Sequence, residues 1–202
     1  CNPNNPTGTL LDANKLRSFI DTVQERATVF VDEAYIDLLD DSRHNAMVDQ
    51  VQAGKNVILA RTFSKLHGLA GLRVGYAVGR ADIIGRLRPL QMSFLNTIGL
   101  EAAIASYLDV EFQVFSKSKI QECVDLTQTA MAIAGRTYTP SNANFVLFDT
   151  GGSVRDFAGA MRSKGMLVGR SYAPYNNWCR VSMGTVEQMA VFAEALKDYY
   201  KG

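Results

Sequence analysis

"ARTFSKLHGLAGLRVGYAVG", residues 60–79, is the stretch on which the fold turns. It opens as the apolar run "NVILAR" (56–61) ends, and it closes in a second run, "RVGYAVG" (73–79). Both runs have strand composition, so the polar segment between them lies at a strand end. That segment carries Thr62 and Ser64, then Lys65, then Arg73. Two hydroxyls and a guanidinium suit an anion, because charge-assisted hydrogen bonds hold phosphate well. Lys65 could be a further anion ligand, or a nucleophile toward a carbonyl. A solvated basic loop would have the same composition.

Upstream, "TVFVDEAY" (28–35) reads as a buried strand that ends at Asp32 and Glu33, with Tyr35 three residues past Asp32. A carboxylate at the end of a buried strand needs a partner, since burying it unpaired is costly. A helix cap or an ion pair would satisfy it as well as a ligand would. At the start, "NPNNPTG" (2–8) combines two prolines, which fix φ and remove N–H groups, with Gly8, which permits positive φ. Such a loop presents asparagine side chains in a rigid pose, although a plain surface turn has the same ingredients.

Helical periodicity fills the gaps between the apolar runs. Residues 11–26 place Leu16, Phe19, Ile20 and Val23 on one stripe, with Asp12 set to cap. Further helices are expected over 81–90, 97–108, 110–134, 154–164 and 186–200, with Gly135 as a C-terminal stop. Further strands are expected at 144–149, 166–169 and 178–184. Apolar strands alternating with helices predict an α/β sheet buried on both faces, with function at the strand ends. A smaller α+β unit follows, and the boundary is expected between residues 89 and 96, at 92/93.

Composition narrows the function. Of 202 residues, 47% are hydrophobic and 20% charged, as in a globular domain. A net charge of +1 gives no reason to expect nucleic acid or an anionic membrane as partner. Three scattered cysteines and two histidines argue against a zinc site or a disulfide framework. No apolar run approaches a membrane span.

Taken together the motifs point further. "NPNNPTG", "DEAY", "TFSK" and "GLAGLRVGY" (68–76), followed by "SNANFVLFD" (141–149) and "CRVSMGT" (179–185), resemble in order and spacing the fold-type-I pyridoxal-phosphate enzymes. The likeness is greatest to the histidinol-phosphate aminotransferase-like branch, and it covers residues 2 to about 198. It implies part of a large domain with a mainly parallel sheet (1–92), followed by a small α+β domain with its long linking helix (93–202).

By that resemblance Lys65 is the Schiff-base lysine and general base, and Asp32 pairs with the pyridine nitrogen. Tyr35 and Asn5 bond the ring's 3-oxygen, while Thr62, Ser64 and Arg73 hold the cofactor phosphate. Arg180 binds the substrate carboxylate, and Arg170 is a second substrate-binding arginine. Tyr172, Tyr175 and Trp178 either line a pocket for an aromatic or imidazole side chain or simply pack. His67 is expected to be structural and His44 exposed. The resemblance implies transfer of an amino group between an amino acid, or an amino-alcohol phosphate, and a 2-oxo acid. Decarboxylation or elimination on the same fold, and a non-catalytic fragment, stay open. Family members carry an N-terminal half before the "NPNNPTG" loop, so this chain is expected to be the C-terminal portion of a cytoplasmic homodimeric enzyme, inactive by itself.

Overall fold

In the computed structural model, which describes residues 1–92 and 94–201, Asp12 caps α1 (Ala13–Val23) by accepting from Lys15 N at 2.9 Å. The α1 stripe buries Ala13, Leu16 and Ile20. Phe19, expected on that stripe, is 53% exposed: it falls one residue short of the inward position that Ile20 takes.

The strands β1 (Val29–Asp32) and β2 (Val57–Thr62) pair in parallel, from Val29 opposite Val57 to Asp32 opposite Ala60. Between them lie a 3-10 turn at Ile36–Leu38 and two short helices, α2 (Ser42–Asn45) and α3 (Val48–Gln52). The third strand, β3 (Gly75–Gly79), is antiparallel to β2, with Thr62 opposite Gly75 and Ile58 opposite Gly79. A parallel return needs a crossover of a dozen or more residues, usually a helix. The 62–75 connection holds only a 3-10 turn at Ala70–Leu72, so the chain doubles back.

The core of this sheet is Ala13, Leu16, Ile20, Val29, Val31, Met47, Val57 and Leu59. The expectation of burial on both faces holds only for Val57–Leu59 of β2. In β1 Phe30 is 61% exposed between buried Val29 and Val31, and Gly75 to Ala77 of β3 are exposed. Beyond β3 come α4 (Ala81–Leu87), a 3-10 turn at Arg88–Leu90, α5 (Thr97–Leu108) and α6 (Val110–Ile133).

By contacts the chain forms two compact units. The first is Cys1–Pro3 with Leu10–Ser116; the second is Asn4–Thr9 with Lys117 onward. The expected boundary at 92/93 involves Ser93, which lies outside the described residues. Helix α5 and the start of α6 stay with the first unit, where side-chain hydrogen bonds tie them to the 62–73 segment.

In the second unit α6 ends where Gly135 takes φ 64°, and Arg136 N reaches back to Met131 O at 2.9 Å. Its antiparallel sheet has the order β4 (Phe145–Asp149), β6 (Tyr175–Ser182), β5 (Ser171–Tyr172). The strand expected at 166–169 is not formed. Gly169 instead lies against β6, where its N donates to Arg180 O at 3.1 Å. A register shift then delays regular pairing to Ser171 and Tyr172. Helices α7 (Val154–Ser163) and α8 (Val186–Lys201) cover the sheet, burying Phe148, Phe157, Met161, Cys179 and Leu196. Among the described residues no helix is long and apolar enough to cross a membrane.

Candidate active-site residues

The first unit gathers its candidates at the ends of β1 and β2. The parallel register sets Asp32 opposite Ala60, and Glu33 N extends the ladder to Ala60 O at 2.9 Å. Asp32 is half-buried; its Oδ1 accepts from Ala34 N at 3.0 Å, and it makes no ion pair among the described residues. Tyr35 is buried, and the Lys65 amine lies 5.1 Å from the centre of its ring. Lys65 is itself half-buried, with no carboxylate partner among the described residues. Thr62 Oγ1 is 2.9 Å from Ser64 Oγ, and Ser64 N donates to Thr62 Oγ1 at 3.1 Å.

The segment carrying Lys65 closes on itself. Leu69 N donates to Phe63 O at 2.9 Å, Gly68 N donates to Lys65 O at 3.0 Å, and Gly68 has φ 69°. Arg73 has φ 56°, the one positive value among the described non-glycine residues. Such a conformation costs about 1–3 kcal/mol and persists where the surroundings impose it. The Arg73 guanidinium is exposed and donates to Ala70 O at 2.8 Å; no hydrogen bond joins it to Thr62 or Ser64.

The second unit holds the other candidates. Arg180 lies on β6 opposite Leu147 and donates through Nη1 to Asn5 Oδ1 at 2.7 Å. Its guanidinium carbon is 4.9 Å from the Phe145 ring centre and 5.9 Å from that of Tyr172. Its Nε is buried without a hydrogen-bond partner among the described residues, and leaving such a donor unpaired is costly. Arg170 is exposed, with its guanidinium 5.3 Å from the Tyr172 ring centre. Tyr175 is exposed and Trp178 half-buried. Asn5 sits on a turn held by Gly8 N to Asn4 O at 2.7 Å and Asn142 N to Gly8 O at 2.8 Å. Gly8 has φ 72°, and a Cβ there would meet Ser141 Oγ at 2.6 Å, so the turn requires glycine.

Residues 1–196 match the model of the family "Aminotransferase class I and II". The chain belongs to that family. It is 36% identical over 201 residues to histidinol-phosphate aminotransferase of Halalkalibacterium halodurans, which covers 98% of this chain and 54% of that protein. It is 38% identical over 159 residues to the aromatic amino acid aminotransferase of Mycobacterium bovis, covering 78% of this chain and 45% of that one. The crystal structure of histidinol-phosphate aminotransferase from Sinorhizobium meliloti in complex with pyridoxal-5'-phosphate superposes with a TM-score of 0.88 at 29% identity, covering 99% of this chain and 56% of that one. The chain thus spans about half the length of the curated relatives it matches.

Within this class I and II aminotransferase chain, one pair escaped the motif reading. Glu33, 2% exposed, accepts from Arg61 Nε at 2.9 Å and Nη2 at 2.8 Å, and from Met47 N at 2.7 Å. Burial opposes the Arg61 charge and the Glu33 carboxylate favours it, with a net upward pKa shift. The pair bridges the residue after Asp32 and the residue before Thr62, so it holds the two strand ends in one frame. Its signal is the register: once Asp32 faces Ala60, Glu33 must face Arg61. His67 packs within the first unit. It is buried, its Nδ1 lies 2.8 Å from Ser106 Oγ, and its ring sits 4.8 Å from that of Phe63. Burial pushes its pKa down. His44 is exposed.

Proposed function

We propose that the whole protein is a pyridoxal-phosphate-dependent aminotransferase. It would move an amino group between an amino acid or amino-alcohol phosphate, of histidinol-phosphate or aromatic type, and a 2-oxo acid. Family membership supports the reaction class, and the relatives' names support the donor types. The observation that carries the reading is the Lys65 amine: half-buried, beside the Tyr35 ring, and without a carboxylate partner among the described residues. An ion-paired lysine would be a poor nucleophile, so the missing ion pair supports attack by Lys65 on an aldehyde.

The donor set of the first unit fits such a cofactor. Two adjacent hydroxyls, Thr62 and Ser64, with the Arg73 guanidinium nearby in sequence, would hold its phosphate. Asp32, a half-buried carboxylate without an ion pair, would hold a protonated ring nitrogen. Tyr35 would donate its hydroxyl to the ring oxygen. When bound, pyridoxal phosphate supplies the electron sink that makes the Cα–H bond of an amino acid labile. Lys65 would take that proton from Cα and return it two bonds away, to the carbon on the far side of the amino nitrogen. In the second unit Arg180 would bind the substrate carboxylate, with Asn5 steadying its Nη1 and the unpaired Nε as a second donor. Arg170 would bind a second anionic group of the substrate. A cytoplasmic homodimer belongs to the same reading; exposed Ile104, Tyr107, Leu108, Val114 and Phe115 support burial of this surface by further protein.

Loading the whole protein with cofactor and offering a donor panel tests the reading. Histidinol phosphate or an aromatic amino acid should yield its oxo product and convert a 2-oxo acceptor to an amino acid. Release of CO2 or ammonia instead would assign decarboxylation or elimination and overturn amino transfer.

A further inference from the structure

We propose that Ser106 and Ser116, on the consecutive helices α5 and α6, are positioning residues that hold the Lys65 loop in place, Ser106 through His67 and Ser116 through the Leu66 carbonyl. The role in catalysis rests on Lys65 being the cofactor-bearing residue; the fastening itself does not.

The loop's internal hydrogen bonds set its shape but not its place. Phe63–Leu69 and Lys65–Gly68 closures would survive if the whole loop tilted away from the sheet. On the strand side it is held by Phe63 N to Val74 O at 3.1 Å. On the other side, where Lys65, Leu66 and His67 lie, the fastenings come from the two serines. His67 Nδ1 is 2.8 Å from Ser106 Oγ, and Ser116 Oγ donates to Leu66 O at 2.8 Å. These bonds join the two residues directly after Lys65 to helices some 40 and 50 positions further along the chain.

The helices make a stiff anchor. Gln113 Nε2 donates to Ser106 O and Tyr107 O, both at 3.0 Å, and so braces the junction where α5 meets α6. The α5 N-cap, Asn96, accepts from Gly99 N at 3.1 Å while its Nδ2 donates to Leu72 O at 3.1 Å. The same anchor therefore also reaches the residue before Arg73. His67 is 7% exposed, so losing the Ser106 hydroxyl leaves a buried ring nitrogen without its partner. Lys65 carries its amine on four flexible carbons, and a displacement of about 1 Å at a reacting group can cost about 100-fold in rate.

The test compares Ser106→Ala, Ser116→Ala, the double variant and Ser106→Thr, which keeps a hydroxyl, in the whole protein. Amide exchange without cofactor should be about tenfold faster over 65–69 in the double variant, with Val31 and Leu59 of the strands unchanged. With cofactor, kcat should fall about 10- to 100-fold while donor KM moves less than about threefold, and Ser106→Thr should restore most of it. Unchanged exchange over 65–69 in the double variant overturns the fastening. Faster exchange with wild-type kcat overturns the positioning role. If the wild-type protein forms no borohydride-trapped cofactor adduct at Lys65, the proposed function and the catalytic role both fall, and exchange alone still decides whether the serines hold the loop.

Discussion

Replacing Glu33 by alanine should loosen the strand ends on which Asp32 and Thr62 stand. The substitution removes the acceptor of two short Arg61 bonds and of Met47 N. Removing one partner of a buried ion pair costs about 3–5 kcal/mol, because the other charge is left uncompensated. The Arg61 side chain is 18% exposed, so water recovers part of that and favours the lower end. Met47 is fully buried, and stranding its N–H adds a penalty of about 1–3 kcal/mol that partly overlaps the first. We expect about 3–4 kcal/mol in all, and about 1–2 kcal/mol for Glu33→Gln, which keeps an acceptor for Met47 but loses the charge. The sole tryptophan, Trp178, lies in the second unit, so its fluorescence is the wrong probe. Native-state exchange of the β1 and β2 amides reports the correct region. A loss under about 1 kcal/mol for Glu33→Ala, or equal losses for Ala and Gln, would refute this account of the pair.

Three further outcomes follow from the geometry. Burial holds the His67 pKa below its ordinary 6.5, so the fold prefers the neutral ring; the associated stability is complete above that pH and is lost as pH falls toward the lowered value. Amide protection over 63–69 should therefore weaken as pH falls below about 6.5, and His67→Phe should remove that pH dependence. Cys179 is buried with its thiol pushed up to about 12, and burial also raises Cys123, so iodoacetamide at about pH 8 should label exposed Cys1 first; native labelling of Cys179 at the Cys1 rate would contradict the packing. Gly169→Ala should cost about 1–3 kcal/mol in thermal or urea unfolding of the second unit, because a Cβ there would overlap Arg180 O.

The elements most legible in the sequence were those whose signals are local. The Asp12 cap, the run ending at Asp32 and the Gly135 stop each depend on a few adjacent residues, and each stands where its chemistry puts it. The order of the short motifs carried the family, confirmed over residues 1–196. What stayed hidden depends on pairing across the chain. The direction of β3 is set by the missing crossover helix, not by the composition of "RVGYAVG". The strand at Ser171–Tyr172, rather than at 166–169, follows from a register shift against β6. Glu33 and Arg61 find each other only through the β1–β2 register. The Ser106 and Ser116 fastenings join residues so distant in sequence that no periodicity marks them.

Whether Lys65 carries the cofactor is decided by covalent mapping. The whole protein is incubated with pyridoxal phosphate, reduced with borohydride, digested, and its peptides sequenced by mass spectrometry. Stoichiometric modification at Lys65 is expected, abolished by Lys65→Ala and displaced by a donor amino acid before reduction. Modification spread over exposed lysines such as Lys15 and Lys119, with Lys65 unlabelled, would contradict it.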